Sequence, residues 1–408
     1  MRKTLCVSIA LAVLSAAASA QPLDGRKMVV QGGETDAVGS PISISCAGAV
    51  PDATVQVVDV KGKHAFPATV RGDALVFIPD EVKAKKKRTY TVKVLDEPRP
   101  PLVVIEKDAE GDALAVTVNG EPFTTYHYSN DNKKPFLWPV YAEGGATITR
   151  NWPMGEDKYK STDHVHHKSI WTSYGDLNGA DCWSEGGDSG FQHTDEVAFG
   201  SGDAYGWIQA KNTWQGKDHK PVIAEEREYR FYAGPAGARM FDLAVTFTAA
   251  YGTVKFADTK EGGILAYRIR PEIQATYNNK EEKKVMRKGV MTNVNGSGGG
   301  VWGKPSPWTD YSGDIEGVGV RGLAAFDHPD NLRYPTTWHF RDYGLNGANC
   351  FGLSHFTNKK ENGDYTLEEG QSLTFKYRVI IHSGDVNEAH VAERYNDYAN
   401  PPEAAWAD

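Results

Sequence analysis

The chain is poor in cysteine: 4 among 408 residues, one of which, Cys6, falls in the N-terminal apolar run. The three that follow, Cys46, Cys182 and Cys350, allow at most one internal bridge, which excludes a disulfide-stapled scaffold. Beyond the N-terminus no apolar run reaches the roughly 18 residues that a spanning helix needs, so no membrane span is expected. Positive charge is also short. Against 53 Asp and Glu stand 45 Lys and Arg, a net −8, and an acidic surface repels phosphate, which argues against a nucleic-acid partner. Disorder is excluded as well, because 40% of the residues are hydrophobic and can fill a sizeable core.

What the chain has in excess is 42 Gly, 10 Trp and 19 Tyr. Glycine and aromatics with few long helical patterns point to an all-β protein with many turns and a stacking surface. Residues 1–20 read as a secretory leader: Arg2 and Lys3 are basic, Leu5 to Leu14 apolar, and Ala18-Ser19-Ala20 is a small-x-small cleavage site. Cleavage near Ala20 predicts a periplasmic or secreted protein and, by removing Arg2 and Lys3, takes the net charge from −8 to −10.

Residues 21–100 read as a small β-sandwich-like N-terminal domain, with short strands at Thr54 to Val60, Ala74 to Ile78 and Tyr90 to Leu95. Lys83 to Arg88 is a basic run suited to a solvated strand edge. Glu97-Pro98-Arg99-Pro100-Pro101 is a stiff linker. Residues 101–408 read as a large antiparallel β-sandwich. Asn119-Gly120 between apolar runs predicts a hairpin, and further strands are expected at Tyr205–Trp214, Val222–Tyr232, Arg239–Ala249, Gly263–Ile269, Gly319–Phe326 and Leu373–Ile381. One helix is predicted near the end, capped by Asp385 with Glu388 completing a capping box, its stripe formed by Ala389, Val391, Ala392, Tyr395 and Tyr398.

Four segments could carry chemistry. In Asp163-His164-Val165-His166-His167-Lys168-Ser169-Ile170-Trp171, a strand would put His164 and His166 on one face, where they could share a divalent metal with a third ligand, or where one could act as acid or base. Ordinary solvated or core His is the alternative. Asp176, Asn178, Trp183 and Glu185, around a Gly turn, could line a pocket floor or simply cap a loop, and His193 could join them. Glu261, before Gly262-Gly263, is placed to project from a strand end as a base or a sugar ligand. If Trp338 to Asp342 is a strand, Trp338, Phe340 and Asp342 share one face, and His339 with Arg341 the other, a pair suited to an oxyanion or carboxylate. Trp152, Trp171, Trp183, Trp302, Trp308 and Trp338 lie in or near these segments, and flat aromatic faces there suggest a carbohydrate cleft, although Trp is usually core. Finally, Leu177-Asn178-Gly179-Ala180-Asp181-Cys182 echoes Leu345-Asn346-Gly347-Ala348-Asn349-Cys350, and a pseudo-symmetric fold would let Cys182 and Cys350 pair; two separate buried thiols are the alternative.

Roughly residues 102–400 resemble the PmoA-like family of secreted bacterial proteins. The resemblance rests on the Asp163–Trp171 segment, Gly175-Asp176-Leu177-Asn178-Gly179, Lys260-Glu261-Gly262, Asp310-Tyr311-Ser312-Gly313, and the stretch from His328-Pro329-Asp330-Asn331 to Arg341-Asp342-Tyr343-Gly344. It implies a sandwich related in shape to sugar mutarotases, typical of glycan-degrading bacteria. Lys168 departs from the Arg often found there. The family's methane-oxygenase label would need several spanning helices, which this chain lacks.

These readings lead to a carbohydrate-active enzyme that cleaves a glycosidic linkage of an oligosaccharide or glycoside, as hydrolase or lyase. Its catalytic candidates are His166, His167, Glu261, His339, Arg341 and Asp342. Its substrate-binding candidates are Trp152, Lys168, Trp171, Asp176, Asn178, Trp183, Glu185, His193, Trp308 and Trp338. Sugar epimerisation or mutarotation, and non-catalytic glycan binding, are the alternatives.

Overall fold

Apolar side chains at every second position put two sheets face to face. The computed structural model describes residues 22–46, 54–62, 64–157, 162–234, 237–277, 285–286 and 289–407; the expected leader lies outside them. A seven-stranded antiparallel sheet runs in the order Leu345–Gly347, Gly262–Arg268, Ile170–Tyr174, Phe136–Val140, Glu121–His127, Ala113–Val118, Val103–Lys107. A nine-stranded one runs Phe191–Gly200, Tyr205–Gln215, Pro221–Tyr232, Ala238–Thr248, Ser372–Ser383, Gly319–Asp327, Trp308–Ile315, Val290–Asn293, Gly296–Ser297. Between them lies the main core, with Leu114, Tyr126, Leu137 and Tyr267 from the first sheet and Ile208, Tyr229, Leu243 and Leu323 from the second. Phe123 meets Phe231 edge-on at 5.5 Å across this layer. The protein is therefore an all-β sandwich.

Alternation fixes what each outer face carries. In Ser372–Ser383, Val379 and Ile381 enter the main core, while Ile380 joins Met240, Ala324 and Phe326 on the other side of the nine-stranded sheet. That outer face is covered by Val76 and Ile78 of the N-terminal region and by the helix Val391–Ala399. On the outer face of the seven-stranded sheet, Phe136, Trp171 and Ala266 stand in register. They form, with Trp183 and Leu345, a separate small core.

The N-terminal strands make a third sheet, ordered Glu403–Trp406, Lys27–Gln31, Lys87–Val94, Val55–Asp59, Ala65–Arg71, Ala74–Phe77, Ile42–Ser45. The chain's last strand is thus the edge of the sheet built by its first. That sheet curls until its edges meet, Trp406 Nε1 donating to Ser45 O at 2.7 Å. Arg26 stacks on the Trp406 ring.

The Asn119-Gly120 hairpin forms, with φ of 53° and 80° at the two turn residues. The capping box also forms: Glu388 N donates to Asp385 Oδ1 and Asp385 N to Glu388 Oε2, both at 3.0 Å. It closes a turn rather than the helix itself, which becomes regular only at Val391, after His390 adopts φ of 51°. Ala392, expected in the apolar stripe, faces solvent, whereas Ala389, Val391 and Tyr398 are buried.

Two expected strands are absent. His164 and Ser169 take left-handed backbone, φ 47° and 57°, so the His segment turns back on itself and extended structure starts only at Ile170. Residues 338–342 fold as one arm of a tight return: His339 N donates to Gly347 O and Arg341 N to Leu345 O. Trp338 and Phe340 still reach the main core. The expected Cys182–Cys350 bridge is also absent; both thiols are free and buried. The two echoing segments do not share a conformation, Leu177 to Ala180 being a tight turn with φ of 52° at Asn178 and Leu345–Gly347 a strand.

Because the last strand completes the N-terminal sheet, a chain ending at Pro402 should lose one edge of it. Limited proteolysis should then cut within residues 22–94 faster than in the full chain, and an unchanged cleavage rate would refute this role.

Candidate active site on the outer face of the seven-stranded sheet

Arg150 and Arg268 begin the site. Arg268 ends the strand Gly262–Arg268, and Arg150 N donates to its carbonyl. Both side chains are almost fully buried, and isolated guanidiniums could not stay there unpaired. Asp163 answers both. Arg150 Nη1 donates to Asp163 Oδ1 at 2.7 Å, and Arg268 Nη2 reaches Oδ1 and Oδ2 at 3.2 and 3.1 Å. Burial would raise the Asp163 carboxyl, but the His164 hydrogen bond and the two guanidiniums hold it well below the usual carboxylate range. Arg150, desolvated and beside Arg268, is drawn down to about 9.

The same pair shapes the His loop. Arg150 Nη2 donates to the carbonyls of His164 and His167, at 2.8 and 3.2 Å, which holds the turn closed. Arg268 Nη1 donates to His167 Nδ1 at 2.9 Å, so that nitrogen is the acceptor and the ring is neutral. Burial, first, and then Arg268 push His167 well below its ordinary value. His164 Nδ1 donates to Asp163 Oδ2 at 2.6 Å, and its ring stacks between His167, at 4.7 Å, and Tyr343, at 5.3 Å.

His166 is left half-buried at the surface of this stack, edge-on to His167 and beside Trp183. Burial, then the charges of Lys134 and His164, lower it to about 4, so it is neutral at pH 7. Lys134 itself is fully buried, donates to Trp183 O at 2.6 Å and pairs with Glu185. Desolvation brings this ammonium down to about 8. Lys168 pairs with the same Glu185 at 3.2 Å, so Lys134, Glu185 and Lys168 back the Trp183 wall from inside.

Glu261 approaches from another loop. A Cβ on Gly175 would lie 2.6 Å from Glu261 O, so glycine there is what lets the turn come close. His339 Nδ1 donates to Lys260 O at 2.9 Å and braces that turn. Its Nε2 is buried and has no hydrogen-bond partner among the described residues, and Trp302 Nε1, across a ring contact of 6.4 Å, has none either. Burial outweighs the attraction of Glu261 and brings His339 to about 4. Burial also pulls Glu261 upward, but its pair with Lys260 and the nearby imidazoles keep it below its ordinary value, hence ionised. Glu261 interacts electrostatically with both His166 and His339, Arg341 acts on His339 and lies over the Tyr343 ring, and the charges of Glu261 and Asp163 act on Tyr343.

The structure therefore brings His164, His166, His167, Glu261, His339 and Arg341 together, with Trp171, Trp183, Lys168 and Glu185 beneath them. It does not add the other candidates as substrate ligands. Trp308 belongs to the core on the far side of the nine-stranded sheet, and Trp338 lies in the main core with Nε1 donating to Ser306 O. Trp171 and Trp183 are buried floor rather than exposed stacking faces. Trp152 sits in a turn that Asp157 caps. Asp176 Oδ1 caps Gly179 N, and Asn178 bonds Thr253 O and Lys255 N, so both hold loops. His193 points to solvent beside Asp195, while Gln192 turns inward to Thr172 O. The Asp342 carbonyl accepts from Thr276 N and Tyr311 Oη, which fixes the return. The metal reading for His164 and His166 loses its premise with the strand: among the described residues no three His, Cys, Asp or Glu converge as a ligand set, and His164 Nδ1 is taken by Asp163.

Sequence reasoning missed Arg150, Arg268, Lys134 and Tyr343. For Arg268 a signal existed, a lone cation closing an otherwise apolar strand, which signifies a buried pair.

Two outcomes follow. Asp163→Asn should destabilise the chain by about 2–3 kcal/mol in denaturant titration, less than the ~3–5 kcal/mol for a fully buried pair because water reaches this carboxylate. The second concerns pH. With His166 and His339 lowered from 6.5 to about 4, the unfolded chain takes up protons before the folded one, so stability present above pH 6.5 should fall as pH drops towards 4. His166→Asn should flatten that slope; an unaltered slope would count against a neutral, desolvated His166.

Among the described residues no helix is long and apolar enough to cross a membrane. Comparison with curated proteins finds no match. A family model does match, over residues 113–396, which holds most of the sandwich and every residue of the His cluster. The chain belongs to the family of unknown function DUF6807.

Proposed function

We propose that this protein is a periplasmic or secreted carbohydrate-active enzyme that breaks a glycosidic linkage of an oligosaccharide or glycoside at the His cluster, and that it does so by elimination next to an oxidised or acidic sugar carbon. The observation that carries this is an ionised Glu261, paired with Lys260, within electrostatic range of two neutral imidazoles from separate segments, His166 and His339, the latter also under the charge of Arg341. A two-carboxylate glycosidase needs a protonated and an ionised carboxyl flanking the bond. Here Asp163 is ionised and committed to Arg150 and Arg268, so it does not supply the protonated carboxyl.

In this reading Glu261 or His166 removes the proton on the carbon beside a carbonyl or carboxylate. The electron pair forms the new double bond, the C–O bond to the leaving sugar breaks, and the departing oxygen takes a proton from an acid of the site or from water. Arg341 and Lys260 stabilise the negative charge that gathers on the enolate oxygen. Beneath this face four cations, Arg150, Arg268, Lys134 and Lys168, share two carboxylates, Asp163 and Glu185, an excess of positive charge that suits an anionic or oxidised sugar. Epimerisation is the second reading, favoured by the same base if the proton returns to the opposite face before the bond breaks. Glycan binding without chemistry is less well supported, because most of the Trp that would stack on sugar are core.

Incubation with neutral, acidic and oxidised oligosaccharides, read by mass spectrometry, should yield an unsaturated product without gain of water. Glu261→Gln and His166→Ala should each slow its formation by about 10²–10⁴-fold. A product carrying an added water would instead establish hydrolysis. No product from any substrate, with binding intact, would overturn the enzyme reading.

A further inference from the structure

The small N-terminal sheet and the sandwich meet along a groove of about 470 Å³. Pro67, Ile78, Pro79 and Leu102 give it apolar surface, Gly39, Ala204, Ala233 and Gly234 leave room between them, and His64 and Asp80 also line it. The junction is pinned: Thr69 Oγ1, from the small sheet, accepts from Ala204 N at 2.9 Å and Tyr205 N at 3.3 Å. A groove between two bodies held in this way is preformed.

Its buried charge is Asp203, 8% exposed. Oδ2 accepts from Arg99 Nε and Nη2 at 3.3 and 3.2 Å, so the Pro-rich linker supplies the neutralising guanidinium. Oδ1 is buried and has no hydrogen-bond partner among the described residues. A buried carboxylate oxygen left unmet is costly, and an ionised carboxylate can only accept. What is missing is a donor. Because Arg99 already meets the charge, a neutral O–H fits better here than a second cation.

We propose that this groove is a second saccharide site, in which a sugar ring lays its apolar face on Pro67, Ile78 and Pro79 and donates a hydroxyl to the Asp203 carboxylate. The need for a neutral donor with an apolar face stands on the groove alone; the choice of a saccharide rests on the carbohydrate reading of the His cluster.

The test is calorimetric titration of the full chain with cellotriose, maltotriose and xylotriose, and with butylammonium chloride as a cationic probe. At least one trisaccharide should bind saturably, and both Asp203→Asn and Gly234→Leu should weaken it more than tenfold. Gly234 is suited to this because a Cβ there meets only Ile78 Cγ2, at 3.9 Å, so a larger side chain can fill the groove without displacing backbone. Gly234→Leu should leave turnover at the His cluster unchanged. If one variant fails to fold by circular dichroism, the other decides. Absence of binding by all three sugars, binding indifferent to the groove variants, or displacement by butylammonium would overturn the proposal. Full turnover in Glu261→Gln would instead bring down the reading of the His cluster, and the groove titration would still decide this one.

Discussion

The candidate site depends on one carboxylate shared by two buried guanidiniums. Arg268 stands on the sheet and Arg150 is tied to it through a backbone hydrogen bond, so both cations are fixed by the sandwich. Asp163 comes from an irregular loop that Arg150 holds in place through its backbone carbonyls. Once that loop is set, the order of the three imidazoles follows: His167 goes inward to Arg268, the exposed His164 stacks on Tyr343, and His166 stays half-buried against His167 and Trp183. A bare cation pair buried this deeply would be driven apart; with Asp163 between them, repulsion becomes a scaffold.

Neutral histidine is the second consequence. Cations at Lys134, Arg150 and Arg268, together with burial, disfavour protonation of His166 and His167. Burial does the same at His339 despite Glu261 nearby. The cluster thus keeps neutral imidazole and ionised carboxylate within electrostatic range of each other at neutral pH, a combination that water alone would not enforce for His near its ordinary value.

Much of the scaffold was legible in the sequence because strand alternation is a local property. Val379-Ile380-Ile381 announces one residue for each side of a sheet, and Asn119-Gly120 announces its turn, without reference to distant parts of the chain. The site was only partly legible. Glu261 and the His run stood out by residue type, but His164 and His166 were expected to share a strand face, and left-handed backbone at His164 and Ser169 undid that. Trp308 and Trp338 carried the same chemical signal as Trp183, and only packing distinguishes them. The Asp385–Glu388 box reads as a helix start and forms, yet the helix waits until Val391, since a cap satisfies a turn as readily as a helix.

By itself the sequence determined the all-β class, most strand positions and the acidic, turn-rich, aromatic character, all of which follow from short-range periodicity and composition. The tertiary structure decided which distant side chains meet: Arg150 with Asp163 and Arg268, Glu261 with His166 and His339, and the final strand with the first. It also kept apart Cys182 and Cys350, whose sequence echo suggested a pair. The physical reason is the same in each case. Burial and electrostatic partnership are properties of neighbours in space, and neighbours in space are set by sheet register and loop closure, which no local pattern encodes.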